Sequence, residues 1–201
     1  MKPQFNNRSN KVYKIDGQEI WESRSPAVVA VLFGITKNGT YVLSEKRSQN
    51  MQDEPGKWVL ASGYIDWDES GWDALIREVY EETSFYMPNF EKYLIHDNNK
   101  TPFFVNTDPS ENRQNVALSY LLVYDFKKKG LPRKVESYKD SEIEKVKWIN
   151  FKDIFKYTWA FSHDKRIING FYSYQTLENI DKTNYDMNKT FRRYGICLTL
   201  S

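Results

Sequence analysis

Apolar and polar positions along this chain fall into blocks whose period changes several times. After a polar stretch over residues 1 to 10, Lys11-Val-Tyr-Lys-Ile15 and Glu19-Ile-Trp-Glu-Ser23 flank the turn dipeptide Asp16-Gly17, which predicts a β-hairpin. Ala27 to Ile35 is continuously apolar, as in a strand buried on both faces. Asn38-Gly39 turns it into a paired strand from Thr40 that ends in the charged run Ser44-Glu-Lys-Arg47. Lys57 to Asp66 reads as a strand interrupted at Gly63, where a bulge or a close backbone approach is expected. From Ser70 the period becomes helical. Ser70 and Asp73 can form a capping box, and Trp72, Ile76, Val79 and Tyr80 make an apolar stripe with Leu75 at its edge. Beyond Pro88, short strands are predicted over Glu91 to His96 and Thr101 to Val105, joined at Asn98-Asn99. Val116 to Phe126 is a second long apolar strand, and Glu144 to Ile149 alternates. Asn150 can cap a short helix to Phe155, and Ser162 a longer one with Ile167, Ile168, Phe171 and Tyr172 at helical spacing. The order of strands, helix, strands and terminal helices predicts an α+β (mixed α/β) fold built on a mixed sheet.

Composition narrows the class. The 201 residues suffice for one domain with a real core, and 40% hydrophobic with 28% charged residues is globular in character. A formal net charge of +2 carries no footprint of nucleic acid or membrane. One cysteine, Cys197, excludes an intrachain disulfide framework and fits a reducing compartment. The polar start lacks the apolar core of a signal peptide, and no apolar run nears the ~20 residues of a membrane span. These features together predict a cytoplasmic protein.

The chemistry gathers in the helix after Gly63. Glu78, Glu81 and Glu82 fan over less than a third of the helix circumference, roughly opposite the apolar stripe. Like charges at these spacings repel, so such a face is either solvated or gathered around a cation. The helix by itself leaves both open.

The spacing around it decides more. Gly63 is followed by five residues and Glu69, then seven residues and Arg77-Glu78, then Val79, Tyr80, Glu81-Glu82, Thr83, Ser84 and Phe85. This pattern resembles the Nudix box at every position except one, since Ser84 stands where the family has glycine. Ala27 to Arg47, Pro55 to Leu60, Lys145 to Ile149 and Phe161-Ser-His-Asp164 are similar to further segments of that family. The resemblance implies an α/β/α sandwich over residues 26 to 175, with an N-terminal segment over 1 to 25 and a C-terminal extension over 176 to 201. It implies hydrolysis of a phosphoanhydride bond in a nucleoside diphosphate linked to another moiety, with Mg²⁺ or Mn²⁺ as cofactor.

Residue roles follow from the same resemblance. Glu78 and Glu82 are the expected metal ligands, with Glu81 third and the backbone carbonyl of Ser62 beside them. Arg77 and Glu69 are expected to orient the box. The general base is left open among a box glutamate such as Glu81 and the loop carboxylates Glu142, Glu144 and Glu111. Arg47 and Lys57 are the expected phosphate contacts. The two histidines, His96 and His163, read as structural. A glycine past a helix normally supplies a left-handed cap, so Ser84 bears on how the helix closes and removes no carboxylate.

Two other classes stand against the hydrolase. An isopentenyl diphosphate isomerase would carry a catalytic cysteine near the lead-in to the box, where none is present. A non-catalytic Nudix-type binding or regulatory module would more readily have lost Glu78 or Glu82. The expected partner is a nucleotide-type small molecule. A capped RNA end is the one nucleic acid kept in view, and the hairpin is a candidate homodimer contact.

Overall fold

The computed structural model describes residues 10–109, 115–132 and 142–178. Glu111, Cys197 and the extension beyond residue 178 lie outside the described residues. The predicted hairpin forms: β1 (Lys11–Ile15) pairs antiparallel with β2 (Gln18–Glu22) as a separate two-stranded sheet. Asp16 and Gly17 both take positive φ, 52° and 81°, as a two-residue hairpin turn requires.

The main sheet runs in the order β10-β4-β3-β9-β7, with three short strands attached. At its centre β3 (Pro26–Thr36) pairs antiparallel with β4 (Gly39–Arg47) and parallel with β9 (Val116–Asp125). Both long central strands are apolar through their middles because helices cover both faces. β10 (Ile143–Asn150) lies along the outer side of β4, and β7 (Leu94–His96) and β8 (Phe104–Asn106) pair with β9. Alternation along β10 splits its apolar residues between the faces: Val146 and Trp148 pack on one side and Ile149 is buried on the other.

Helix α1 (Gly71–Thr83) packs on the face formed by Val28, Ala30, Leu32, Leu43, Ala61, Tyr120 and Leu122. Helix α2 (His163–Glu178) covers the other face, where Val29, Val31, Phe33, Leu121 and Val123 meet Ile167, Ile168, Phe171 and Tyr174. The result is the expected α/β/α sandwich around a mixed sheet. Phe171 stacks on Phe151 at 4.1 Å and meets Phe33 edge-on at 5.9 Å, which fixes α2 over the sheet.

Four local expectations are corrected. The break in the strand after Lys57 falls at Leu60-Ala61, between β5 (Trp58–Val59) and β6 (Ser62–Tyr64), because the chain there changes partner from β4 to β3. Gly63 instead sits inside β6, opposite Val28. Pro88, in the first helical turn, starts a 3-10 stretch over Met87–Tyr93, so only Leu94–His96 of the strand predicted from Glu91 forms. Ser162 has φ of 54°, not the extended backbone of a side-chain cap, although the helix it was expected to open is present. The fourth concerns the buried face of α1 and belongs to the site.

Candidate active site

Helix α1 begins as its sequence requires. The Ser70 hydroxyl accepts from the Asp73 amide at 3.2 Å, while the Asp73 carboxylate accepts from the Ser70 amide at 3.2 Å, which closes the capping box. The helix ends at Ser84 in the left-handed conformation (φ 57°, ψ 10°), its amide donating to the Tyr80 carbonyl at 2.8 Å. Serine thus takes the backbone position that glycine occupies in the family pattern, at a cost of about 1–2 kcal/mol.

The face α1 turns to the sheet overlaps the predicted stripe only in part, at Leu75 and Val79, with Trp72 and Ile76 packed at its margin. Ala74, Leu75, Glu78, Val79, Glu82 and Thr83 are buried, whereas Tyr80 is exposed and Trp72 and Ile76 are half-buried. The helix is rolled by roughly a quarter turn from the orientation that apolar spacing alone gives. Glu78 and Glu82 are thereby only 4% and 5% exposed, while Glu81 stays half-exposed. Burying two carboxylates costs several kcal/mol unless each is hydrogen-bonded or paired. Both are held: Glu78 accepts from Arg77 Nη1 at 2.7 Å, and Glu82 accepts the Ser62 amide at 2.8 Å.

Gly63 makes room for this arrangement. A Cβ at that position would overlap the Glu78 carboxylate, so the absence of a side chain lets Glu78 lie on the β6 backbone. Ser62 is oriented by its neighbours. The Ala61 carbonyl accepts from the Ala30 amide at 2.9 Å, so residue 61 faces β3 and residue 62 presents its N–H and C=O at the opposite edge, where Glu82 lies.

Arg77 ties the loop Asp66–Glu69 to the helix. Its guanidinium donates to both Glu69 oxygens (3.1 and 2.6 Å), to Glu78 and to the Tyr64 carbonyl at 3.0 Å. Asp66 and Glu81 lie 3.6 Å from it. Glu69 also accepts the Asp66 amide at 2.7 Å. The hydrogen bonds from Arg77 hold the Glu69 carboxyl below its ordinary range, and Glu69 and Glu78 hold the guanidinium firmly protonated. One positive charge is shared by four carboxylates, Asp66, Glu69, Glu78 and Glu81, so this cluster carries a formal −3. Such an excess of hard anionic oxygens suits Mg²⁺ or Mn²⁺. Among the described residues no three His, Cys, Asp or Glu side chains stand close enough together to form a cation cage in this arrangement.

A profile of the NUDIX domain matches residues 23–170. The chain belongs to the NUDIX family. Its fold is similar to a mutT/nudix family protein from Listeria innocua, with 19% identity, coverage of 79% of this chain and 98% of the other, and a TM-score of 0.56. It is also similar to an Ap4A hydrolase from C. elegans, at 16% identity over 77% and 99% of the two chains and a TM-score of 0.54. The NUDIX domain of NrtR from Shewanella oneidensis, solved with ADP ribose, gives 20%, 80%, 90% and 0.51 in the same order. Comparison with curated proteins gives no match.

Within this NUDIX domain, Ser62, Gly63, Glu69, Arg77, Glu78, Glu81 and Glu82 come together as one constellation. The other expected residues lie around the Arg47 end of β4. Arg47 donates from Nε and Nη2 to the Asp53 carbonyl (3.1 and 2.9 Å) and stands over the Phe161 ring at 5.2 Å. Lys57 pairs with Glu54, and Glu144 with Lys46 at 2.7 Å. The Glu142 carbonyl accepts from the Ser48 amide at 2.7 Å.

Two buried charges escaped the sequence reading. Glu45, 2% exposed, alternates with Leu43 on the α1 face but stood in a run read for its cations. Arg166, in the first turn of α2, is buried, and its Nη1 donates to the Ser119 hydroxyl of β9 at 2.9 Å. Strict alternation from Leu43 could have placed Glu45. Arg166 had no comparable signal.

Proposed function

We propose that this NUDIX protein hydrolyses a phosphoanhydride bond in a nucleoside diphosphate linked to another moiety, using Mg²⁺ or Mn²⁺. The observation that carries the reading is the burial of Glu78 and Glu82 against the Ser62-Gly63 backbone, with every charged position of the box present. Glu78, Glu82 and Glu81, with the Ser62 carbonyl, are the residues that would hold the metal. When bound, such an ion neutralises the diphosphate and lowers the pKa of a water molecule. The chain's own part is to keep the carboxylates placed. Arg77 orients Glu78, Glu69 orients Arg77, and the Ser62 amide holds Glu82.

We assign the general base to Glu81 ahead of Glu142 and Glu144. Of the three glutamates on the helix it is the one that water reaches, since Glu78 and Glu82 are buried, and its ion pair with Arg77 (3.6 Å) is looser than that of Glu144 with Lys46 (2.7 Å). Arg47 and Lys57, at the cationic end of β4 and the start of β5, are assigned to the phosphates. A single cysteine supports a cytoplasmic setting. No described helix is long and apolar enough to cross a membrane, which leaves β-barrels unaddressed. Exposed Val12, Tyr13, Ile15 and Ile20 support the hairpin as a contact in a homodimer.

A binding-only module is the second reading, because NrtR from Shewanella oneidensis, similar in fold, has been solved both with ADP ribose and with a 27mer DNA. Product release from ADP-ribose, dNTPs, dinucleoside polyphosphates, nucleotide sugars and capped RNA, with each metal in turn, separates the two. Turnover of one class supports the hydrolase. Binding without turnover of any member overturns it in favour of the module.

A further inference from the structure

We propose that His163, on the face of the sheet opposite the carboxylates, is a positioning residue for the box, acting through the backbone of Leu60. The proposal rests on the hydrolase reading above. Between β5 and β6 the chain crosses from β4 to β3, and Leu60 sits in that crossing. Its amide donates to His163 Nδ1 at 2.9 Å. His163 is 3% exposed at the first turn of α2. Burial, with Arg166 and Arg47 nearby, keeps the ring neutral, as an acceptor at Nδ1 must be.

The crossing is held from three sides. Trp58 donates its amide to the Thr158 carbonyl and accepts at its own carbonyl from Ala160, both at 2.9 Å, so the lead-in to α2 runs beside β5 as a parallel bridge. Ala61 turns to β3 through the Ala30 amide. Leu60 and Ser62, two residues apart, direct their amides to the other edge. His163 from α2 accepts the first at 2.9 Å, and Glu82 from α1 accepts the second at 2.8 Å. Two helices on opposite faces thus hold amides two residues apart, one within the crossing and one at the start of β6. Removing the α2 acceptor leaves a buried amide to find another partner and lets Ser62 shift against Glu82.

The experiment compares His163→Leu, His163→Asn and His163→Gln with wild type. An Asn oxygen falls near the Nδ1 position, whereas a Gln oxygen falls nearer Nε2. Measured quantities are the melting midpoint, the Mn²⁺ dissociation constant from the spin-resonance signal of free Mn²⁺, and kcat and KM on a substrate that wild type cleaves. Expected for His163→Leu and His163→Gln are Mn²⁺ binding weaker by about tenfold and a kcat reduced by about tenfold or more, with KM changed less. His163→Asn is expected within about threefold of wild type, a rescue measured against the same effects. Should the Leu variant fail to fold, the Asn and Gln pair decides. Wild-type Mn²⁺ affinity and kcat in His163→Gln, whatever its melting midpoint, would show a merely structural histidine and overturn the proposal. Wild type that neither binds Mn²⁺ nor turns over any substrate overturns the hydrolase reading and this proposal together.

Discussion

The two helices that sandwich the sheet both bury polar groups among apolar ones, but differently: α2 carries His163 and Arg166 beside a dominant apolar stripe, whereas α1 carries two carboxylates within its stripe. α2 sets Ile167, Ile168, Phe171 and Tyr174 into an aromatic and aliphatic layer, and its buried residues recur at the spacing that apolar periodicity picks out. α1 sets two carboxylates into its buried face and leaves Tyr80 outside. The hydrophobic effect orients α2, since each residue of its stripe contributes a few kcal/mol by burial. α1 is oriented by fixed polar contacts as well: the Ser62 amide on Glu82, Arg77 on Glu78, and the missing side chain at Gly63. A helix oriented in this way gives up part of its apolar burial to hold two carboxylates inside.

The sharpest way to test that contrast is to neutralise one carboxylate without changing its shape. Glu82→Gln is expected to lose turnover by at least about 100-fold, because a metal site supplies several kcal/mol of transition-state stabilisation. Its circular dichroism should remain that of wild type. Full activity in this variant removes Glu82 from the ligand set.

Gly63→Ala addresses the room that the α1 face needs. The added methyl meets the Glu78 carboxylate, so we expect a loss of about 1–3 kcal/mol in urea denaturation together with most of the turnover. Unchanged denaturation would show that α1 can move away freely, and so that the polar contacts do not fix it.

On the α2 face, pH is the lever. His163 has a pKa well below its ordinary value, from burial first and then from Arg166 and Arg47. The unfolded chain therefore takes up a proton at higher pH than the native protein. Its contribution is fully present above about pH 6.5 and is lost as pH falls from there toward the native value. Chemical denaturation of wild type and His163→Asn between pH 7.5 and 5 should show the wild type losing more stability on acidification. Parallel curves would show that the ring is not held neutral by its surroundings.

The smallest effect is at the end of α1. Ser84→Gly relieves a left-handed serine and is expected to stabilise by about 1 kcal/mol in the same assay, with kcat unchanged. A loss of stability would mean that the serine side chain repays its backbone cost.

Much of the fold was legible because its signals are local or apolar. The Asp16-Gly17 turn, the long strands at Ala27 and Val116, the Ser70 capping box and the Asn150 cap each depend on a few adjacent residues, and all are present. The helix at His163 was likewise visible, with Tyr174 taking the buried place expected of Tyr172. The break at Leu60-Ala61 was not, because it reflects a change of strand partner that neighbouring residues do not encode. Arg166 was invisible for the same reason, its Ser119 partner lying 47 residues away.

By itself, then, the sequence determined the family, the order of elements and the composition of the box, since these reside in residue types at fixed spacing. Tertiary structure decided which face of α1 is buried, that Glu78 and Glu82 are inside while Glu81 is outside, and that His163 reaches the strand leading into the box. Those outcomes depend on a missing Cβ at Gly63 and on backbone amides presented by strands distant in the chain. Hydrophobic periodicity carries no information about either.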